Sequence, residues 1–194
     1  MDLLNIYHIC EGSTALGPGY RYVIWVQGCM QNCKGCITPQ SRPFEIKHLI
    51  KVGDIADSII HNEKIEGITI SGGEPFLQST NLARLLSIIG EYRPELTVIV
   101  FTGYTLKQLT TNIAHNLLQH IDLLIDGQYV DSLNDEKGLR GSSNQKLYFL
   151  TNRLLPYKNE LENGDRNNEI IVGTEGTHII GIPRRDIQLK LINF

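Results

Sequence analysis

Four short runs of almost unbroken apolar residues constrain this chain more than anything else in it. They are Tyr22-Val23-Ile24-Trp25-Val26, Gly67-Ile68-Thr69-Ile70, residues 96–101 and residues 121–125. Runs this short, rich in β-branched and aromatic residues and without polar alternation, read as strands buried on both faces. Helical periodicity fills the intervals. Ile46, Leu49, Ile50, Ile55, Ile59 and Ile60 predict one or two helical pieces over residues 45–61, with a break and a new cap at Gly53-Asp54. Ser79 or Thr80 is placed to cap a helix that carries Leu82, Leu85, Leu86 and Ile89 on one face and ends near Gly90 and Pro94. A further helix is predicted over residues 106–118. Strand, loop and helix recurring at about 25–35 residues make parallel βαβ units, the pattern of an α/β fold. The units are too few to close an eight-stranded barrel. A partial (βα) barrel or open curved sheet is therefore expected, with ligands at the C-terminal ends of its strands.

The last third reads differently. Residues 147–155 predict a strand running into irregular chain, and residues 159–169, charged and Asn-rich, an exposed loop. Ile170-Ile171-Val172 and His178-Ile179-Ile180-Gly181-Ile182, separated by Gly-Thr-Glu-Gly, predict a β-hairpin. The expected organisation is a core over residues 1–150 and a C-terminal β extension over residues 151–194 packed on it. The hairpin reads as a cover for a sheet edge, or as a docking element.

Composition narrows the function. The 194 residues carry a net charge of −3, and no cluster of Lys and Arg offers a phosphate-binding surface, which argues against nucleic acid as a partner. Residues 1–20 show no basic segment followed by a long apolar one, so neither a signal peptide nor a membrane span is expected, and the cytoplasm is the expected compartment. Four cysteines in such a chain point to metal or redox use rather than disulfides. Cys10 stands apart and reads as a small buried residue.

The other three, Cys29, Cys33 and Cys36, are spaced C-x3-C-x2-C on the loop that leaves the strand at Tyr22-Val23-Ile24-Trp25-Val26. A zinc site would need a fourth ligand from elsewhere, Cys10 or a histidine. A [4Fe-4S] cluster held by three thiolates, with one iron left open, needs nothing more. Gly28 and Gly35 allow the backbone to wrap a cluster closely.

This spacing, at this place, resembles the radical S-adenosylmethionine superfamily. There the open iron is chelated by the methionine moiety of S-adenosyl-L-methionine, and one electron releases a 5′-deoxyadenosyl radical. A second motif, Gly72-Gly73-Glu74-Pro75, ends the next predicted strand and resembles the superfamily segment that binds the methionine amino group. Glycines let carbonyls approach an ammonium, Glu74 adds negative charge, and Pro75 stiffens the turn. The superfamily resemblance covers residues 20–130 and implies the partial barrel already expected.

Further stretches narrow the likeness. Gly17-Pro18-Gly19-Tyr20-Arg21 resembles a segment of the glycyl-radical-enzyme activating enzymes. Thr102-Gly103-Tyr104, Asp122-Leu123-Leu124-Ile125-Asp126-Gly127-Gln128-Tyr129 and Arg140-Gly141-Ser142-Ser143-Asn144-Gln145 are similar to stretches of the activating proteins of anaerobic ribonucleotide reductases. That resemblance implies a glycyl-radical enzyme as protein substrate, and reduced flavodoxin or ferredoxin as electron donor. It implies radical transfer to a glycine Cα, with the chemistry carried by cluster and cofactor rather than by catalytic side chains. Thr102 either lines an adenosine pocket or shapes a turn. Asp126 either contacts the cofactor or caps a turn. Arg140 either neutralises the methionine carboxylate or pairs with a surface acid. Gln128 stands where this family often has a lysine. The alternative functions are a radical enzyme that modifies a peptide or small molecule directly, and a non-catalytic iron–sulfur or zinc module.

Overall fold

The structure is a computed structural model that describes residues 2–173 and 176–184. Its centre is a seven-stranded mixed sheet built from β1 (Leu3–Ser13), β2 (Arg21–Val26), β3 (His48–Lys51), β4 (Gly67–Gly72), β5 (Thr97–Phe101), β6 (Leu123–Asp126) and β7 (Lys146–Phe149). The strand order is β3-β1-β2-β4-β5-β6-β7. The four apolar runs form the parallel centre, β2-β4-β5-β6. The antiparallel strands β1, β3 and β7 flank it. Helices α1 (Val52–Ile60), α2 (Ser79–Tyr92) and α3 (Asn112–Leu118) lie in the crossovers.

The parallel strands are largely apolar on both faces because each face meets a different cover. Tyr22, Ile24, Val26, Ile68, Ile70, Val98, Val100 and Leu124 pack with Ile55, Ile59, Leu82, Leu85, Leu86 and Leu117 of the helices. The alternate residues Val23, Trp25, Ile99, Leu123 and Ile125 form a second cluster with Leu16, Leu139, Leu154, Leu161, Ile180 and Ile182. None of α1, α2 or α3 enters that second cluster. Loops and the C-terminal extension cover it instead.

Several local expectations are corrected. Residues 45–47 are irregular and residues 48–51 are a strand, so none of this stretch is helical. Asn5 reaches across to hold them, donating from Nδ2 to the Glu45 carbonyl (2.7 Å) and accepting from the Lys47 N–H (2.9 Å). β3 then pairs with β1, and α1 begins only at Val52 with Gly53 and Asp54 inside its first turn. α2 takes Gln78 as its N-cap, while the Ser79 hydroxyl donates to the Phe76 carbonyl at 2.6 Å. It runs through Gly90 to Tyr92. The stretch 106–118 divides into a 3-10 turn, Leu106–Gln108, and α3, whose cap Thr111 accepts from the Ala114 N–H. Residues 159–169 include a helix, α4 (Lys158–Asn163), that buries Leu161 in the second cluster.

Strands β8 (Asn168–Gly173) and β9 (Gly176–Gly181) pair antiparallel in a separate two-stranded sheet. Among the described residues the hairpin therefore pairs with neither edge of the large sheet and covers a face, not an edge. Residues 174, 175 and 185–194 of the expected extension lie outside the described residues. No helix among the described residues is long and apolar enough to cross a membrane.

At the N-terminal end of the parallel strands sits Arg21, with no solvent exposure. Its guanidinium donates to Thr69 Oγ1, Thr97 Oγ1 and the carbonyls of Pro18, Ile68 and Thr97, at 2.7–3.1 Å. Burial pushes its pKa down to about 9. The loops that follow β2, β4, β5 and β6, which carry Cys29 to Cys36, Gly72-Gly73-Glu74-Pro75, Thr102-Gly103-Tyr104 and Gly127-Gln128-Tyr129, lie at the opposite ends of these strands.

Candidate functional site

The cysteine loop begins where β2 ends. Its path is fixed by backbone bonds from the Gly28 N–H to Ser41 O (2.8 Å) and from the Cys29 N–H to Arg42 O (3.0 Å). Gly28 and Gly35 both take positive φ, 97° and 73°. All three loop cysteines are free and half-buried. Burial pushes the thiols of Cys29 and Cys36 up, although the Gln31 and Thr38 N–H groups donate to them and pull the other way. Buried thiols of this kind lose their protons readily only when a cation takes up the charge.

The Gly72-Gly73-Glu74-Pro75 loop is zipped to the cysteine loop, backbone to backbone. The Gly73 N–H donates to Val26 O (2.7 Å) and the Glu74 N–H to Gly28 O (2.8 Å). A Cβ on Gly73 would lie 2.3 Å from the Gly28 carbonyl oxygen. The glycine is therefore required by the neighbouring loop itself, before any ligand is considered.

Glu74 is 1% exposed, and its carboxylate accepts from the N–H groups of Phe76 (3.0 Å) and Gly103 (2.8 Å) and from the Thr102 hydroxyl (2.8 Å). Burial pushes its pKa up against these three bonds. The carboxylate thus ties the loop after β4 to the loop after β5.

One cleft is lined by Cys29, Cys33 and Cys36 together with Gly72, Gly73, Glu74 and Thr102. Those seven of the sequence-predicted residues are brought together. Pro75, Asp126 and Arg140 are not part of the lining. Pro75 opens the 3-10 turn Pro75–Gln78. Asp126 accepts from the Leu106 N–H at 2.6 Å, so its carboxylate holds the turn after β5. Arg140 pairs with Asp135 at 2.7 Å, the surface-acid arrangement. Gln128 is exposed, and Cys10 lies apart from the triplet, in the second cluster.

The cleft also contains Trp25, Phe101, Tyr129, Gln145, Ile179 and Ile182, to which sequence reasoning gave no site role. Gln145 accepts from the N–H groups of Gly141 and Ser142 and donates to Gly127 O at 2.7 Å. Asn144 donates to Gln128 O. The Ser-Ser-Asn-Gln stretch thereby fixes the loop after β6 against the start of β7. The signal was a polar stretch beside a predicted strand, but the bonds it makes are visible only in three dimensions.

Three free cysteines lining one cleft are the donor set that a [4Fe-4S] cluster held by three thiolates would use.

The comparisons with known proteins agree with this chemistry. Residues 15–148 match the family described as a 4Fe-4S single cluster domain. The anaerobic ribonucleoside-triphosphate reductase-activating protein of Enterobacteria phage T4 is 32% identical over 142 residues, covering 70% of this chain and 87% of that protein. The proteins of the same name from Vibrio cholerae and Pasteurella multocida are 32% and 35% identical over 147 residues, covering 70% of this chain and 91% and 90% of their own lengths. With that coverage and the matched cluster domain, the chain belongs to the family of anaerobic ribonucleoside-triphosphate reductase-activating proteins.

Proposed function

We propose that this chain is an activating enzyme that installs a glycyl radical on a partner of the anaerobic ribonucleotide reductase kind. The observation that carries the reading is the convergence of three free cysteines and the zipped Gly72-Gly73 loop on one cleft, in a chain of this family. When bound, a reduced [4Fe-4S] cluster would supply one electron for the reductive cleavage of S-adenosyl-L-methionine. The hydrogen atom removed in consequence would be that of a glycine Cα in the partner, with methionine and 5′-deoxyadenosine as the products.

The chain's own residues hold and orient. Cys29, Cys33 and Cys36 would hold a [4Fe-4S] cluster through their deprotonated thiols. The backbone of Gly72 and Gly73, lying against the cysteine loop, offers carbonyls to an ammonium group. Glu74 and Thr102 set the distance between the loops after β4 and β5. Asp126 and Arg140 support the loops around the cleft rather than entering it. The parallel strands, covered by helices on one face, support the reading of the fold as a partial (βα) barrel. A reduced flavodoxin or ferredoxin supplies the electron.

The test is anaerobic reconstitution with iron and sulfide, reduction with dithionite, and an assay for 5′-deoxyadenosine. Co-incubation with the reductase should then give a glycyl-radical doublet in the electron paramagnetic resonance spectrum. Well-loaded protein that cleaves no cofactor would return the chain to a non-catalytic module. Cleavage with no doublet, accompanied by modification of a peptide or small molecule, would favour the direct-modification reading. Cys33→Ala should lose four-iron binding, and full iron content in that variant sinks the ligand assignment.

A further inference from the structure

The C-terminal extension lies beyond the matched family segment. The matched family segment ends at residue 148, and 87–91% of the relatives' length aligns with 70% of this chain. Its residues nevertheless reach the cleft. The extension holds the core at several points. Backbone bonds join Gly138 to Gly164 (2.7 Å) and Leu139 to Leu161 (2.8 Å). Arg166, whose side chain is 2% exposed, donates to Asn134 Oδ1 and to the carbonyl of Arg140. Glu169 accepts from the N–H and hydroxyl of Thr14 at 2.8 and 2.6 Å.

From these footholds the hairpin folds over the face that the helices leave uncovered. Ile180 is fully buried in the second cluster and Ile182 is 5% exposed. Ile179, Gly181 and Ile182 line the same cleft as the three cysteines. Gly181 takes a φ of 121°, and a Cβ there would lie 2.5 Å from the Asn167 carbonyl oxygen, so β9 passes tightly over the start of β8. Ile170, in β8, is 66% exposed.

We propose that β9 is a selectivity wall. Its apolar side chains, Ile179 foremost, restrict the cleft to a slender extended peptide segment, such as one centred on a residue without a side chain, and keep water and bulkier hydrogen donors from the cysteine side. Ile179 is a positioning residue on this account. The choice of a glycine-centred segment rests on the activating-enzyme reading; the wall itself does not.

Two measurements separate the two ideas. In the full-length, metal-free protein, the cleft thiols are alkylated with a small reagent (iodoacetamide) and a bulky maleimide. Ile179→Ala should speed the bulky reagent severalfold at Cys29, Cys33 and Cys36, with little change for the small one. Ile179→Val should act in the same direction more weakly, and Ile113→Ala, an exposed position on α3, should change nothing. Cys10, buried in the second cluster, reports general loosening. Unchanged bulky-reagent rates in both Ile179 variants, an equal rise in Ile113→Ala, or a parallel rise at Cys10 overturns the wall. In the reconstituted protein, Ile179→Ala should raise the 5′-deoxyadenosine formed per glycyl radical severalfold at unchanged iron content; an unchanged ratio overturns the selectivity. If the wild type forms no 5′-deoxyadenosine, the activating-enzyme reading fails while the alkylation result still judges the wall.

Discussion

Glu74 is a nearly unexposed carboxylate whose three bonded donors are all neutral groups. Removing it as Glu74→Ala leaves the Thr102 hydroxyl and two N–H groups without their acceptor, at about 1–3 kcal/mol for each buried donor left unsatisfied. Release of the buried charge offsets part of this, so a net loss of about 2 kcal/mol in urea unfolding is expected. The pH dependence has a defined sign. Burial raises the folded pKa, so the folded chain holds the Glu74 proton in a range where the unfolded chain has released it. Glu74 therefore lowers stability as pH climbs from the ordinary carboxylate value, about 4.3, through the raised one. Wild type minus Glu74→Gln, measured across pH 4–7, should show that slope, and a flat difference contradicts it. Gly73→Ala places its Cβ against the Gly28 carbonyl, so the two loops must separate. It should cost about 1–3 kcal/mol in the metal-free protein. Four-iron content after reconstitution should fall with it, as measured by iron and sulfide analysis.

At the scale of elements, legibility followed the range of the cause. The four parallel strands were readable because continuous apolar runs are a local signal. The cysteine and Gly-Gly motifs were readable for the same reason. β3 was not, because Ile46, Leu49 and Ile50 are spaced as on a helix, and what holds that stretch extended is Asn5, some forty residues earlier. α4 was hidden because it buries a single apolar side chain, Leu161, and so shows no period. Leu161→Ala should cost about 2–5 kcal/mol, detectable as a lower urea midpoint. For Asp126 and Arg140 the sequence left two roles open; the bond from Leu106 to Asp126 joins different loops, and the Asp135–Arg140 pair, though local, depends on how the turn between them folds. The hairpin's foothold has its own pH sign. Burial acts against Glu169, but the hydrogen bonds from Thr14 and Ser13 prevail and hold its carboxyl below the usual range. Its contribution is present above the ordinary carboxylate value and is lost as pH falls through the lowered one. Amide exchange in β8 and β9 should therefore quicken in acid ahead of exchange in β4 and β5.

Taken as a whole, the molecule separates its anchoring from its chemistry. Arg21 binds five acceptors from three segments at one end of the sheet, and the cleft opens at the other. Arg21→Lys cannot reproduce a planar five-donor fork and leaves buried carbonyls unpaired, at a cost of about 3 kcal/mol or more. Iron loading at low temperature should survive the substitution, and a proportional loss of both would show the two ends to be coupled. The second face, which the extension covers in place of α1, α2 and α3, has a consequence for solubility. Leu154, Leu161, Ile180 and Ile182 all come from beyond residue 150, and they cover Val23, Trp25, Ile99, Leu123 and Ile125. Cutting the chain back to residue 150 would turn that interior into a contiguous sticky surface of the kind that drives self-association. Light scattering should then show large particles for the cut chain and not for the full one, so truncation would yield a precipitate rather than a more open cleft.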